Sequence, residues 1–139
     1  MNWQWEEFRH GPDTRDELRV TLSPKGEIMI GARAVERLGR ADWAVLLFDR
    51  RNSLIGVRPA HRHVENAYPL LHKLKGRHRI IRAFKFCLYY GIAFERTRAF
   101  VKPQIQENGM LVLDLKATVA AGKRLDVKRN WEKEIIRNS

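Results

Sequence analysis

The clearest indication of the fold lies in residues 18–30, Leu18-Arg19-Val20-Thr21-Leu22-Ser23-Pro24-Lys25-Gly26-Glu27-Ile28-Met29-Ile30. Apolar and polar side chains alternate over residues 18–23, as they do in a half-buried strand. Ser23-Pro24-Lys25-Gly26 is typical of a tight turn, because proline presets φ at its second position and glycine accepts a positive φ at its fourth. Residues 27–30 form the return strand, so the segment predicts a β-hairpin.

The residues after this hairpin complete a ββαββ unit that spans residues 18–58. A two-turn helix is predicted at 32–38, because its apolar residues fall on one side, and Gly39 is placed as its C-terminal cap. The run at 43–48 is apolar throughout and predicts a strand buried on both faces. Its hairpin partner is expected at 54–57, across a polar turn.

The same order of elements recurs about 50 residues later, when Lys25-Gly26 is aligned on Lys75-Gly76. The second copy is predicted as strands at 68–72 and 78–81, a helix at about 82–90 ended by Gly91, a strand at 98–105 interrupted by Pro103, and a return strand at 110–115 after a two-residue Asn108-Gly109 turn. The chain is therefore expected to be α+β and β-rich. Two ββαββ units would interlock about a pseudo-two-fold axis and share a core of Ile28, Ile30, Val45, Leu47, Val57, Leu111 and Leu113.

The first unit resembles the AbrB/SpoVT family of swapped-hairpin transcription regulators. The resemblance covers about 40 residues of 18–59 and rests on Val20-Thr21-Leu22-Ser23-Pro24-Lys25-Gly26, Glu27-Ile28-Met29-Ile30, Ala34-Val35-Glu36-Arg37-Leu38-Gly39, Trp43 to Phe48 and Leu54 to Val57. It implies two AbrB-like units fused in one chain as a pseudo-dimeric barrel that binds DNA. This two-unit plan is similar in outline to MraZ-type regulators.

The resemblance also implies where DNA contacts would lie. Positions that resemble the family's DNA-contacting basic residues hold no cation in the first copy, where they are Val20, Glu27, Val35 and Glu36. In the second copy two of the four are basic: Leu70, Arg77, Lys85 and Phe86. DNA binding is therefore expected to have moved to the second unit.

Positive charge is concentrated in the middle third of the chain. Residues 58–102 carry eleven basic and two acidic side chains, a net charge of +9, whereas 1–57 is neutral and 103–139 carries +2. Such a field is typical of proteins that bind polyanions, since phosphates recur about every 1.7 Å of DNA axis and binding releases their counterions. The alternative is a solvated basic face with no partner.

The chain of 139 residues has the length of a single domain. It is expected to divide into an N-terminal arm at 1–17, the first AbrB-like unit at 18–60, a second, basic unit at 61–117 and a polar tail at 118–139 with a helix at 126–136. Trp3 and Trp5 could share one face of a short strand in the arm, and aromatic residues in such an arm usually dock on the body of the protein.

The candidate binding site lies on the predicted second helix and the turn before it. On a helical wheel Ile80, Ile81, Phe84, Cys87 and Leu88 fall on a packing side, and the opposite side is basic, with Phe86 between. The predicted nucleic-acid-binding residues are Lys73, Lys75, Arg77, Arg79, Arg82, Lys85 and Tyr89. In the alternative interpretation Phe86 and Tyr89 are core residues and the charges only solvate the helix.

Catalysis is not expected from this sequence, because it contains no nucleophile, phosphate-loop or dinucleotide motif. Four histidines, at 61, 63, 72 and 78, suggest a metal, but Glu65 is the only acid over residues 58–94, so neither a metal site nor another cofactor is expected. Cys87 is the single cysteine, and its apolar neighbours indicate a buried structural thiol. We expect a cytoplasmic protein with no membrane association, since the apolar run at 43–48 is too short to span a bilayer and the N-terminus lacks a signal peptide.

The sequence leaves three classes of binding partner open. DNA is the leading expectation, and RNA is the second, because Phe86, Tyr89 and Tyr90 could stack on unpaired bases. The third is a protein partner, bound by an antitoxin-like or assembly subunit that keeps the barrel and has lost DNA binding. Whether the pseudo-dimeric chain dimerises further is also open.

Overall fold

The computed structural model describes residues 3–6, 18–72 and 76–121. In these ranges the chain forms β1 (Val20–Leu22), β2 (Glu27–Ile30), α1 (Ala32–Arg37), β3 (Trp43–Asp49), β4 (Leu54–Ala60), β5 (Tyr68–Pro69), β6 (Leu71–His72), β7 (Arg79–Arg82), α2 (Phe84–Tyr90), β8 (Arg98–Phe100), β9 (Gln104–Ile105), β10 (Leu111–Asp114) and β11 (Thr118–Ala120). Neither helix in the described ranges has the length and apolar character needed to cross a membrane. The elements predicted between residues 18 and 58 are all confirmed.

The strands form two antiparallel sheets. The first has the order β11-β8-β1-β2-β7-β6, and the second has the order β5-β3-β4-β10-β9. The predicted α+β, β-rich class is confirmed, but the strands of the described residues do not close into the predicted barrel. The chain passes between the sheets at Leu70 and again at residues 101–103, and the strands at these crossings are only two or three residues long. Pro103 therefore lies between β8 and β9 rather than in an edge strand.

The core lies between the inner faces of the two sheets. Five of the seven predicted core residues are confirmed as fully buried: Ile28, Ile30, Val57, Leu111 and Leu113. The prediction for Val45 and Leu47 was wrong, as was the prediction that β3 is buried on both faces. Successive side chains of a strand point to opposite faces, and it is Leu46 and Phe48 that pack against the core. Leu47 instead lies opposite Gly56 in β4, on the outer face.

Two hairpins turn with the same geometry. In the first, the Gly26 N–H donates to the Ser23 carbonyl at 3.0 Å and Gly26 has φ +76°. The prediction for this turn is confirmed. In the hairpin between β9 and β10, the Gly109 N–H donates to the Gln106 carbonyl at 2.9 Å. That turn spans residues 106–109, so the predicted two-residue Asn108-Gly109 turn is wrong in length although the hairpin is in the predicted place. Asn108 has no positive φ, which a two-residue turn of this type requires.

The chain ends differ from the prediction where they are described. Trp3 and Trp5 stack on each other with ring centroids 6.0 Å apart, and both are exposed. They form no strand, and with 68% and 85% of their surface exposed they do not dock on the body of the protein. At the other end, β11 pairs with β8 and extends the first sheet into the predicted tail. The rest of the arm and the predicted helix at 126–136 lie outside the described residues.

We expect Gly26→Ala to destabilise the protein more than Gly109→Ala does. Both glycines have a positive φ, so an alanine at either position costs about 1–2 kcal/mol in backbone strain. A Cβ at Gly26 would also lie 2.8 Å from the Phe84 Cα, whereas a Cβ at Gly109 meets nothing within 4 Å. Urea unfolding should give an additional loss of about 1 kcal/mol for Gly26→Ala. Equal losses for the two variants would contradict the close approach of the turn to α2.

Candidate nucleic-acid interface

Strand β7 positions the first candidate cation. It pairs with β2 so that Ile81 lies opposite Ile28 and Arg82 lies opposite Glu27. Directly opposed residues share a face of an antiparallel sheet, so the two isoleucines face the core and Arg82 faces outward. Arg82 is exposed at the end of β7, two residues before α2 begins, and it lies next to a carboxylate.

Helix α2 presents an apolar and basic side to solvent. With about 100° per residue, Phe84, Leu88, Lys85 and Tyr89 follow one another around a continuous arc of about 140°. Phe84, Leu88 and Tyr89 are 58%, 70% and 74% exposed, respectively, and Lys85 is also exposed. We name Arg82, Phe84, Lys85, Leu88 and Tyr89 the α2 surface.

The opposite side of α2 packs on the second sheet. Phe86 and Cys87 are buried, and Phe86 contacts Phe48 of β3 with ring centroids 6.2 Å apart. The predicted assignment of the two sides was therefore wrong for Phe84, Leu88 and Phe86. The prediction started the helix at Arg82 and placed residues of β7 on the helical wheel. These strand residues shifted the side of the helix that was predicted to pack. Burial of Cys87 confirms a structural thiol and raises its pKa.

An aromatic cluster connects α2 to a cation that the sequence did not indicate. Tyr90 lies between Phe48 and Phe86, with centroid distances of 4.5 and 5.0 Å, and 4.9 Å from Tyr89. The Arg50 guanidinium lies over the Tyr90 ring, 4.9 Å from its centroid, which is a cation–π geometry. Arg50 belongs to the first third of the chain, which is electrically neutral in sum, so the charge distribution gave no signal for it.

The carboxylate next to Arg50 in sequence is held within its own turn. Asp49 accepts hydrogen bonds from the Asn52 backbone N–H at 3.1 Å and from the Asn52 side-chain amide at 2.8 Å. These bonds stabilise the ionised form and lower the pKa of Asp49. Residues 66–94 contain no acidic side chain at all. The positive charge around α2 is opposed by Glu27, opposite Arg82, and by the ionised Asp49, which adjoins Arg50 in the chain.

The remaining candidate cations do not join the α2 surface. Arg79 lies opposite Ile30 on the inner face and is half-buried. Its guanidinium donates to the carbonyls of Arg77 and His78 at 3.2 and 3.4 Å, and its Nε is buried without a partner in the described residues. Arg77 is exposed, but it precedes β7, whereas Arg82 is the last residue of that strand, so the two cations lie at opposite ends of β7. Lys73 and Lys75 lie outside the described residues.

A small cleft lies beside the α2 surface on the outer face of the first sheet. Its volume is about 180 Å³, and it is lined by Glu27, Leu71, His72, Ile80 and Arg82. Within the ranges that the structure describes, no three His, Cys, Asp or Glu residues come close enough to hold a metal ion. The cleft therefore offers one carboxylate, one imidazole and one guanidinium beside the apolar side chains of Leu71 and Ile80.

Comparison of the chain with protein-family models, with curated proteins and with solved structures finds no match in any of the three.

Arg79→Ala should lower stability, whereas Arg82→Ala should not. Arg79 is half-buried on the inner face and its guanidinium donates to two carbonyls of its own loop, so its loss should cost about 1 kcal/mol in the free energy of unfolding, although removal of the buried Nε that has no partner among the described residues offsets part of this cost. Arg82 is exposed at the strand end, and its replacement should stay within about 0.5 kcal/mol. Urea titrations followed by tryptophan fluorescence would measure both values. If Arg82→Ala were the more costly variant, the assignment of inner and outer faces would be wrong.

Proposed function

We propose that the protein binds nucleic acid, as a transcription-regulator-like protein, through the α2 surface. The observation that carries this proposal is the combination, on one exposed helix side and the adjoining strand end, of two cations and an exposed tyrosine in a stretch without acids. Arg50 adds a third cation beside Tyr90. Arg77 is a separate, outlying contact for a bound strand that extends along β7.

The chemistry of the side chains supports phosphate binding rather than base reading. Arg82 and Lys85 are long, mobile cations at the surface, and such groups contact phosphates without selecting a sequence. Each contact to phosphate releases condensed counterions, so binding should weaken steeply with salt. We therefore propose a sequence-tolerant interaction in which DNA remains the leading partner.

We further propose that two AbrB-like ββαββ units interlock within the chain. The pairing of β2 with β7 supports this, because each strand leads into a helix after one intervening residue and the two strands pair antiparallel along their full lengths. β4 and β10 pair in the same antiparallel manner. An exchange of strands between the units is also favoured, since β5 pairs with β3 and β8 pairs with β1.

The two helices support the same proposal. Each is followed by a glycine with positive φ, Gly39 at +72° and Gly91 at +67°. An offset of 52 residues relates the helix starts and these glycines, and it matches buried with buried and exposed with exposed positions from Arg33 to Arg37. The offset differs from the 50 residues of the Lys-Gly alignment because the turn between β6 and β7 is longer than the turn between β1 and β2. With this offset Leu88, and not Phe86, corresponds to Glu36.

The second candidate function is a protein-partner module, antitoxin-like or an assembly subunit. The exposure of Phe84 and Leu88 favours it, because apolar side chains clustered on a surface are typical of protein contacts. The two functions differ in salt dependence. Phosphate binding should weaken steeply between 50 and 200 mM salt, whereas an apolar protein contact should change little.

The double variant Arg82→Ala/Lys85→Ala should weaken binding to a mixed-sequence oligonucleotide about tenfold or more at low salt. It should also lower the slope of log K against log salt by about two units, because each phosphate contact contributes about one. The matched control is Arg33→Ala/Arg37→Ala, which removes two exposed cations from α1. Fluorescence anisotropy titrations at several salt concentrations would give both quantities. A larger effect from the α1 variant would contradict the choice of surface.

Glu27→Gln should strengthen the same interaction a few-fold at low salt. The carboxylate lies opposite Arg82 and opposes the attraction of phosphate to it. Glu36→Gln on α1 removes the same charge from another surface and should have a smaller effect. The gain from Glu27→Gln should disappear at high salt, because screening removes the repulsion between exposed charges. An unchanged affinity would show that the bound phosphate does not come near Arg82.

A further inference from the structure

Two aromatic residues of the α2 surface are largely exposed, at positions where the fold does not require an aromatic side chain. Phe84 and Tyr89 are 58% and 74% exposed, whereas Phe86 and Cys87 of the same helix are buried in the core. The equivalent positions of α1 are Ala32 and Arg37, a small residue and a charged one. Helix α1 has the same pattern of buried positions, so the fold does not require aromatic residues at these two places.

The positions of the two rings fit a ligand polymer in which flat groups alternate with charged groups. Phe84 and Tyr89 are separated by about 7.5 Å along the helix axis, and Lys85 lies between them on the exposed arc. The Tyr89 ring makes an edge contact with Tyr90, with ring centroids 4.9 Å apart and an interplanar angle of 85°, and its remaining surface is exposed. The order around the exposed arc is thus a ring, the aliphatic Leu88, a cation and a second ring.

An unpaired polynucleotide has the complementary order of base, phosphate and base. In a duplex the base faces are stacked on one another, so exposed Phe and Tyr rings gain nothing from them, and phosphate contacts require only the cations. In an unpaired strand each base offers its face, and stacking on aromatic side chains is the main sequence-tolerant contact of single-strand binding proteins. The positive charge of Arg82, Lys85 and Arg50 supplies the complementary potential.

We infer that the α2 surface binds an unpaired strand of nucleic acid, with bases stacked on Phe84 and Tyr89 and the intervening phosphate at Lys85. This inference rests on the proposed nucleic-acid binding and specifies the form of its ligand. Base and phosphate are shared by DNA and RNA, so the test includes both sugars.

The test compares a labelled single-stranded DNA of about 12 nucleotides, the RNA of the same sequence and the corresponding DNA duplex, titrated with the full chain at low salt. We expect the tighter of the two single strands to bind about tenfold or more tightly than the duplex. Phe84→Ala and Tyr89→Ala should each weaken single-strand binding about fivefold or more and change duplex binding less than twofold. The sugar of the more tightly bound strand then identifies the source of the ligand.

Three further variants separate stacking from apolar contact and from a general loss of structure. Tyr89→Phe keeps the ring and should retain binding, whereas Tyr89→Leu keeps apolar area without a ring and should lose as much as Tyr89→Ala. Val119→Ala removes an exposed apolar side chain from β11, which is separated from β7 by three strands of the sheet, and should have no effect on binding. Urea unfolding of each variant shows whether the fold is retained.

The outcomes are distinguishable. Duplex binding as tight as single-strand binding, or single-strand binding that tolerates Tyr89→Ala and Phe84→Ala, would overturn this inference and leave nucleic-acid binding intact. Equal losses for Tyr89→Phe and Tyr89→Ala would overturn the stacking role of the ring. Absence of binding to all three oligonucleotides would overturn the proposed function as well, and the protein-partner module would replace it.

Discussion

The structure depends on the antiparallel pairing of β2 with β7. This pairing joins segments about 50 residues apart in the chain and sets Ile28 opposite Ile81 on the inner face of the first sheet, where both are fully buried. Burial of each isoleucine contributes about 1.5–3 kcal/mol. Each strand leads directly into a helix, so the same pairing also determines where α1 and α2 begin.

The register of this pairing decides which cations reach solvent. Because side chains alternate along a strand, a shift by one residue would exchange the inner and outer faces of β7. In the observed register Ile81 is inside, Arg82 is outside and Arg79 is turned inward to the carbonyls of its own loop. A run of cations that looks uniform in sequence thus contains one exposed group, Arg82, and one group that is turned inward, Arg79.

Helices α1 and α2 bury the same positions but expose different chemistry. On α1 the exposed side contains an Arg33–Glu36 ion pair at 3.8 Å and the exposed Arg37, so a carboxylate lies among its cations. On α2 the equivalent side is apolar, aromatic and basic, and Arg50 reaches it through the aromatic cluster around Tyr90. The two helices therefore share a pattern of burial and differ in the side chains that they expose.

The amino-acid sequence predicted the local elements of residues 18–58 and the inner-facing residues of β2, β4 and β10. Alternation in residues 18–30, Gly26 and Gly91 predicted hairpin, turn and helix end correctly, since these depend on backbone preferences and on a period of two. It also located the excess of positive charge. The tertiary structure was needed to show that Val45 and Leu47 face outward and that Arg79 is turned inward. It was also needed to show that Phe84 and Leu88 are exposed and that Arg50 lies over Tyr90. These depend on which surfaces meet across long separations in the chain, and local propensity contains no information about that.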